Sequence, residues 1–162
     1  MERLWSPWRH EYITRSTENS SEPRCLFCAA GAEPENDETN LILYRGALNF
    51  VILNRYPYIS GHLMIAPYAH LGDLDLAPKG TSDEMMDLAK RSQSVLRDAY
   101  RPEGFNLGMN LGSVAGAGVA DHIHLHVIPR WKGDTNFMST VGETRVLPED
   151  LGTTYKKLLG KI

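Results

Sequence analysis

The sequence predicts an α+β fold, an antiparallel five-stranded sheet with one long helix packed on it. Three observations carry the prediction. Short β-rich runs separated by turn residues fill residues 41–66 and return near 105 and 122. Between them, apolar residues recur at helical spacing from Thr81 to Tyr100. The last run, Asp121-His-Ile-His-Leu-His-Val-Ile-Pro-Arg130, carries three of the six histidines at every second position. Strand geometry puts those three on one face and sends Ile123, Leu125 and Val127 together to the other.

In chain order, residues 1–24 read as an N-terminal arm with Trp5 and Trp8, which need cover from the body or a second subunit, and a polar tether, Thr14 to Glu22. Cys25-Leu-Phe-Cys28 follows. The pair is too close in sequence to staple a fold, so metal or redox use is the natural reading. The Gly/Glu/Pro/Asn-rich segment from Gly31 to Asn40 reads as loop. Leu41–Arg45 and Ala47–Leu53 form a hairpin around Arg45-Gly46, Asn54–Gly61 is a loop, and His62–Ala66 is a third strand stopped by Pro67.

The long helix is expected to open on a capping box, Thr81 with Glu84. It presents Met85, Leu88, Val95, Leu96 and Ala99 to the sheet and ends at Arg101-Pro102. Phe105–Asn110 alternates as a fourth strand, Gly112–Gly118 is a glycine-rich loop, and the histidine strand, terminated by Pro129, is the fifth. Thr140–Asp150 fits loop or strand, and Tyr155–Leu159 is short for a helix. Residues 25–137 are expected to form the domain, with 138–162 a C-terminal extension.

Composition narrows the function. The 162 residues are 42% apolar with a net charge of −3, enough for one domain with a core of its own. No basic excess points to nucleic acid, and no apolar run reaches membrane-spanning length. The opening Met1-Glu-Arg-Leu-Trp-Ser lacks the apolar centre of a signal peptide. The expectation is a cytoplasmic protein whose partners are neither nucleic acid nor membrane. A row of imidazoles suits metal binding, proton transfer or nucleophilic attack, since histidine titrates near neutrality and offers two distinct nitrogens. The loop Gly112–Gly118 lacks the spacing and lysine of a P-loop, and a turn is its default reading. Its place just before the histidines favours phosphate binding, because Gly116 and Gly118 let backbone N–H groups approach an anion.

His122-Ile-His124-Leu-His126-Val-Ile resembles the signature of the histidine triad (HIT) family, nucleotide hydrolases and transferases whose middle histidine attacks an α-phosphorus. The resemblance runs from Cys25 to Trp131. It implies an HIT-like sheet, with His124 the nucleophile, His126 a hydrogen-bond donor to phosphate, and His122 a metal ligand or part of the orienting network. Asn54, in Leu53-Asn-Arg-Tyr-Pro, matches the family's ribose-facing position, although it is equally a turn-former. Asn110 matches an Asn or Gln on the preceding strand. His62, after Gly61, joins the candidate substrate-binding set. Where the family carries Ala-Gly-Gln-Ser or Ala-Gly-Gln-Thr, this chain has Gly116-Ala-Gly-Val119, which shifts phosphate contacts to backbone amides. In one subset of the family a Cys-x-x-Cys, the histidine of Pro-x-x-His and the first triad histidine bind zinc. Those positions here are Cys25, Cys28, His70 and His122, a closed structural set with no open position for water.

The flanks, Leu4–Arg9, Gly104–Gly112 and Pro129–Phe137, look like those of a bacterial branch that cleaves diadenosine tetraphosphate, several members being phosphorylases. The resemblance thus implies an adenine dinucleotide or mononucleotide substrate, with inorganic phosphate or water as second acceptor. Two other readings stay open: a nucleotide-binding regulatory protein with little turnover, and a zinc-dependent hydrolase using the triad as its metal site. Apolar Met86, Ala89 and Tyr100 outside the helix stripe, with Trp5, Trp8 and Trp131, suggest a symmetric interface, and the resemblance implies a two-fold homodimer with joined sheets.

Overall fold

The computed structural model describes residues 25–135 and 149–162. The arm with Trp5 and Trp8, and residues 140–148 of the stretch that fits loop or strand, lie outside the described residues. Five strands form one antiparallel sheet: β1 (Ile42–Arg45), β2 (Asn49–Leu53), β3 (Leu63–Pro67), β4 (Gly104–Gly108) and β5 (Leu125–Arg130), in the order β1-β2-β3-β5-β4. The helices are α1 (Leu26–Ala32), α2 (Asp37–Asn40), α3 (Lys79–Tyr100) and α4 (Leu151–Leu158).

The sheet is covered on both faces. Val51, Leu53, Leu63, Ile65, Ile123, Leu125 and Val127 turn toward Met85, Leu88, Ala89, Val95 and Leu96 of α3. Phe50, Ile52, Met64 and Ala66 turn the other way, toward Phe27 and Ala30 of α1. Coverage of both faces explains why β2 and β3 read as continuous apolar runs rather than alternating ones. Each such side chain contributes about 1.5–3 kcal/mol relative to exposure. The histidines share the α1 face, because His126 stands opposite Met64 in the β3–β5 register.

Several expectations are corrected. Residues 31–40 are largely helical, with a 3₁₀ turn at Pro34–Asn36 running into α2. Arg45 on β1 holds this segment: its guanidinium donates to the carbonyls of Gly31 at 2.7 Å and Ala30 at 3.0 Å, and pairs with Asp37 at 2.7 Å. It thereby satisfies the open carbonyl end of α1. Pro129 does not end β5, which continues to Arg130 with Pro129 opposite Phe105. Past Val127 the strand has lost β3 as a neighbour, so a missing N–H is tolerated on that side. Regular pairing begins only at Leu125. Ala89, counted as surface, is 0% exposed in the core, while Met86 is 48% exposed. Past residue 138, α4 is capped by Asp150, whose carboxylate accepts from Thr153 N–H at 2.9 Å. Tyr155, Leu158 and Ile162 join the α3 cluster.

The capping box is replaced by a longer-range device. α3 begins two residues before Thr81, at Lys79 after Pro78, with no side-chain cap. The Glu84 carboxylate instead accepts hydrogen bonds at 2.8 Å from the backbone N–H groups of Ala47, Leu48 and Asn49 and from Asn49 Nδ2. Burial pushes its pKa up, but the Asn49 side chain and the three amides outweigh it and leave the group below its usual range. Glu84→Ala should cost about 2–3 kcal/mol by stranding those donors, measured by denaturant unfolding. The stabilisation from ionised Glu84 is present above the unfolded carboxylate pKa and is lost as pH falls through the lower folded value. Glu84→Gln should flatten that acid-side slope.

No helix among the described residues is long and apolar enough to cross a membrane.

Candidate nucleotide and metal site

The run from His122 to His126 keeps strand-like alternation although, of its three histidines, only His126 lies in the regular ladder. Ile123 N–H donates to Leu71 O at 2.7 Å, so the chain after β3, rather than a strand, anchors this stretch. The alternation sends His122, His124 and His126 to different partners on the α1 face.

His122 belongs to a cluster of four. Its Nδ1 lies 3.2 Å from Cys25 Sγ and 3.6 Å from Cys28 Sγ, and His70 Nδ1 lies 3.3 Å from Cys28 Sγ. All four donor atoms fall within 4.8 Å of one another. A tetrahedron with zinc-like bonds of about 2.0–2.3 Å has edges of roughly 3.5 Å, so these separations suit such an ion. The His122 tautomer fits as well. Its Nε2–H donates to Pro67 O at 2.9 Å, which leaves the Nδ1 lone pair facing the sulfurs, the outer-sphere arrangement typical of metal-ligating histidine. Burial lowers the His122 pKa, opposed by the Pro67 carbonyl. Burial, with Cys25 beside it, raises that of Cys28, the direction a bound cation reverses. The structure brings Cys25, Cys28, His70 and His122 together and turns His122, 0% exposed, away from the cavity described below.

His124 is oriented by its own neighbour. Its Nδ1 lies 2.9 Å from His122 O, and a carbonyl only accepts, so Nδ1 carries the proton and Nε2 keeps a lone pair. Burial lowers its pKa, with the His122 carbonyl acting the other way. The ring is therefore neutral and basic at Nε2 near pH 7.

His126 acquires the opposite polarity through His62. Tyr58 N–H donates to His62 Nδ1 at 3.2 Å, and His62 Nε2 lies 2.9 Å from His126 Nδ1. An amide can only donate, so in the neutral rings His62 Nδ1 accepts and its Nε2–H donates to His126 Nδ1. The remaining proton of His126 then sits on Nε2. One histidine thus offers a lone pair and its neighbour a donor, their ring centroids 4.9 Å apart. His62 is 1% exposed and stands behind the cavity, as a support for His126.

A cavity of about 260 Å³ opens over these two rings. Leu26, Phe27 and Ala30 of α1 wall one part of it, and His124, His126, Asn54, Asn110, Gly116 and Gly118 also line it. Asn54 serves a turn and the cavity at once: its Oδ1 accepts from Tyr56 N–H at 2.9 Å, while Nδ2 lies 3.3 Å from His62 Nδ1. The glycine-rich loop folds as a 3₁₀ turn, Ser113–Ala115, closed by Gly116 at φ +89°. That backbone conformation excludes most side chains, and no atom stands within 4 Å of where a Cβ would be.

Sequence reasoning missed Phe27, Arg55, Tyr56, Tyr58 and Met64, which also line the cavity. The one available signal was Phe27's position inside the Cys-x-x-Cys. The others arrive through β-strand register and a loop.

A family model described as HIT domain matches residues 35–133. A Mycobacterium tuberculosis protein named AP-4-A phosphorylase is 38% identical over 164 residues, spanning 98% of this chain and 83% of its own length. A Schizosaccharomyces pombe protein named bis(5'-nucleosyl)-tetraphosphatase (asymmetrical) is 31% identical over 94 residues, 57% of this chain and 50% of its own length. Among solved structures, a zinc-bound histidine triad family protein from Mycobacterium smegmatis superimposes with a TM-score of 0.67 at 29% identity, covering 83% of this chain and 89% of that one.

Proposed function

The chain belongs to the HIT domain family, and from that premise we propose that this enzyme transfers a nucleotidyl group from dinucleoside polyphosphates, converting diadenosine tetraphosphate and phosphate to ATP and ADP. The observation that carries the reading is the unprotonated Nε2 of His124 at the cavity floor, fixed by the Nδ1–H bond to His122 O.

In the first half-reaction, Nε2 attacks the α-phosphorus, a P–N bond forms, and the P–O bond to the leaving nucleoside triphosphate breaks. His126 Nε2–H donates to a phosphate oxygen and stabilises the charge that develops there. In the second, an oxygen of inorganic phosphate attacks the same phosphorus, the P–N bond breaks, and His124 returns to its starting state. Asn54 suits the ribose, and the backbone amide of Gly118 suits a phosphate oxygen, whereas those of Ala115, Gly116 and Ala117 already donate to the Gly112 and Ser113 carbonyls. Arg55 is the single lysine or arginine among the described residues lining the cavity, so imidazoles and amides supply most of the stabilisation near the phosphorus.

Zinc suits Cys25, Cys28, His70 and His122. When bound there it supplies structural cross-linking, because all four positions are filled by protein. The acceptor is what separates phosphorolysis from hydrolysis. Two features support phosphate: the M. tuberculosis relative is named a phosphorylase, and Gly116-Ala-Gly118 presents no bulky side chain at the loop. Isotopically labelled phosphate supplied with diadenosine tetraphosphate should place the label in the β position of ADP. Unlabelled AMP at saturating phosphate would make the enzyme a hydrolase, and multiple turnovers of either kind exclude a purely regulatory binding protein.

The assembly we propose is a homodimer. Among the described residues β4 is an edge strand with Leu107 40% exposed, and Leu111 and Val114 are exposed just after it. An open apolar edge favours pairing with a second copy. Light scattering should give about twice the 18.2 kDa chain mass, and a monomer at micromolar concentration refutes it.

A further inference from the structure

The nucleophile and the metal cluster share a residue that neither assignment uses. Phe27 stands between Cys25 and Cys28 at the start of α1 and is 2% exposed. Its ring centroid lies 4.8 Å from that of His124, at an interplanar angle of 34°, and 5.2 Å from that of His122, at 45°. It also lines the cavity. Among the described residues the His124 side chain has one hydrogen bond to hold it, through Nδ1. That bond holds the Nδ1–H tautomer only while the ring keeps Nδ1 on the carbonyl, and it resists a tilt of the ring only weakly, since hydrogen-bond angles are broad. An aromatic face in contact with the imidazole opposes the tilt.

We propose that Phe27 is a positioning residue that keeps His124 Nε2 on its line of attack, and that metal held by the cysteines on either side of Phe27 sets the place of that ring. The inference rests on His124 being the nucleophile. The metal cluster is then more than a clamp on the N-terminal segment. It acts on His124 by two routes: through Phe27, and through His122, whose Nδ1 faces the sulfurs while its carbonyl holds His124 Nδ1.

An aromatic ring pair is worth roughly a three- to tenfold bias in population, and a misplaced nucleophile loses rate rather than ground-state affinity. Phe27→Leu keeps an apolar wall but removes the ring. It should lower kcat about three- to tenfold at saturating substrate, where any loss of the cavity wall that Phe27 also forms no longer counts. The decisive readout is the imidazole ¹⁵N NMR of nucleotide-free protein. Wild-type His124 should show one Nδ1–H tautomer, and Phe27→Leu should show a mixed tautomer. Wild-type protein stripped of zinc under conditions where it stays folded should show the same mixture, and added zinc should reverse it. Phe27→Met serves as a second variant if Phe27→Leu does not fold. Unchanged His124 signals in the folded variant overturn the role of Phe27, and unchanged signals on zinc removal overturn the link to the metal. Because these spectra need no substrate, they fail independently of the proposed reaction. An inactive His124 variant with a normal Phe27 effect would leave the coupling standing, whereas an active one would remove its premise.

Discussion

Replacing His124 with asparagine should lower turnover of diadenosine tetraphosphate by about a thousandfold or more, as loss of a covalent nucleophile does elsewhere. The choice of asparagine is deliberate. Its Nδ2–H can still donate toward His122 O, as His124 Nδ1–H does, and its amide carries no basic lone pair in place of Nε2. The fold and the cavity walls contributed by Leu26, Phe27 and Asn54 should survive, so AMP should bind with near wild-type affinity. Product formation followed by chromatography, beside calorimetric AMP binding, separates the two effects. Residual activity above a tenth of wild type would sink the nucleophile assignment.

Protein purified without chelators should carry about one zinc per chain, and Cys25→Ser should lower the melting temperature by about 10 °C. The size follows from the chemistry: losing one of four ligands forfeits part of a binding energy that in small zinc modules exceeds 10 kcal/mol. A loss of about 3–4 kcal/mol corresponds to such a shift in a domain of this size. Metal analysis of the wild type and calorimetry of both proteins check it, and a metal-free wild type counts against it. Chelation also discriminates the three-histidine hydrolase reading, which demands complete loss of turnover in still-folded protein.

Much of the fold was legible because its signals are local. The alternation from His122 to Val127 announced two faces, and the structure puts Ile123, Leu125 and Val127 in the α3 core. The apolar period of α3 and its stop at Arg101-Pro102 were equally plain, with Arg101 closing the helix in a left-handed conformation at φ 50°. What the sequence hid depends on distant partners. Thr81 and Glu84 have capping-box spacing whether Glu84 turns back to its own helix or across to β2, and only the hairpin's open amides decide it. Residues 31–40 carry Gly, Pro and Asn, yet they wind up because Arg45 takes the Gly31 carbonyl and the Asp37 carboxylate, and Phe50 and Ile52 take α1's apolar face.

The candidate site divides in the same way. The structure gathers the four cysteine and histidine positions into one cluster, and sets His124, His126, Asn54, Asn110, Gly116 and Gly118 around one cavity. His62 was visible as a nearby histidine but not as the group that gives His126 its polarity, because that depends on the Tyr58 amide and on strand register. Phe27 was written between the cysteines, and nothing in the sequence said that its ring would lie against His124.

The span of the metal cluster bears on how the chain comes to be folded. Cys25 and His122 are 97 positions apart, and between them lie the hairpin, β3, the whole of α3 and β4. Closing so long a segment costs entropy that is recovered only when the strands between have paired. During synthesis, the first pair of ligands leaves the ribosome long before His122 does. An early chain offers two thiols and, later, one histidine, and the fourth donor comes with the last strand. Tight capture of the ion is therefore reserved for a chain whose β5 has docked beside β3, the same event that sets His126 against His62.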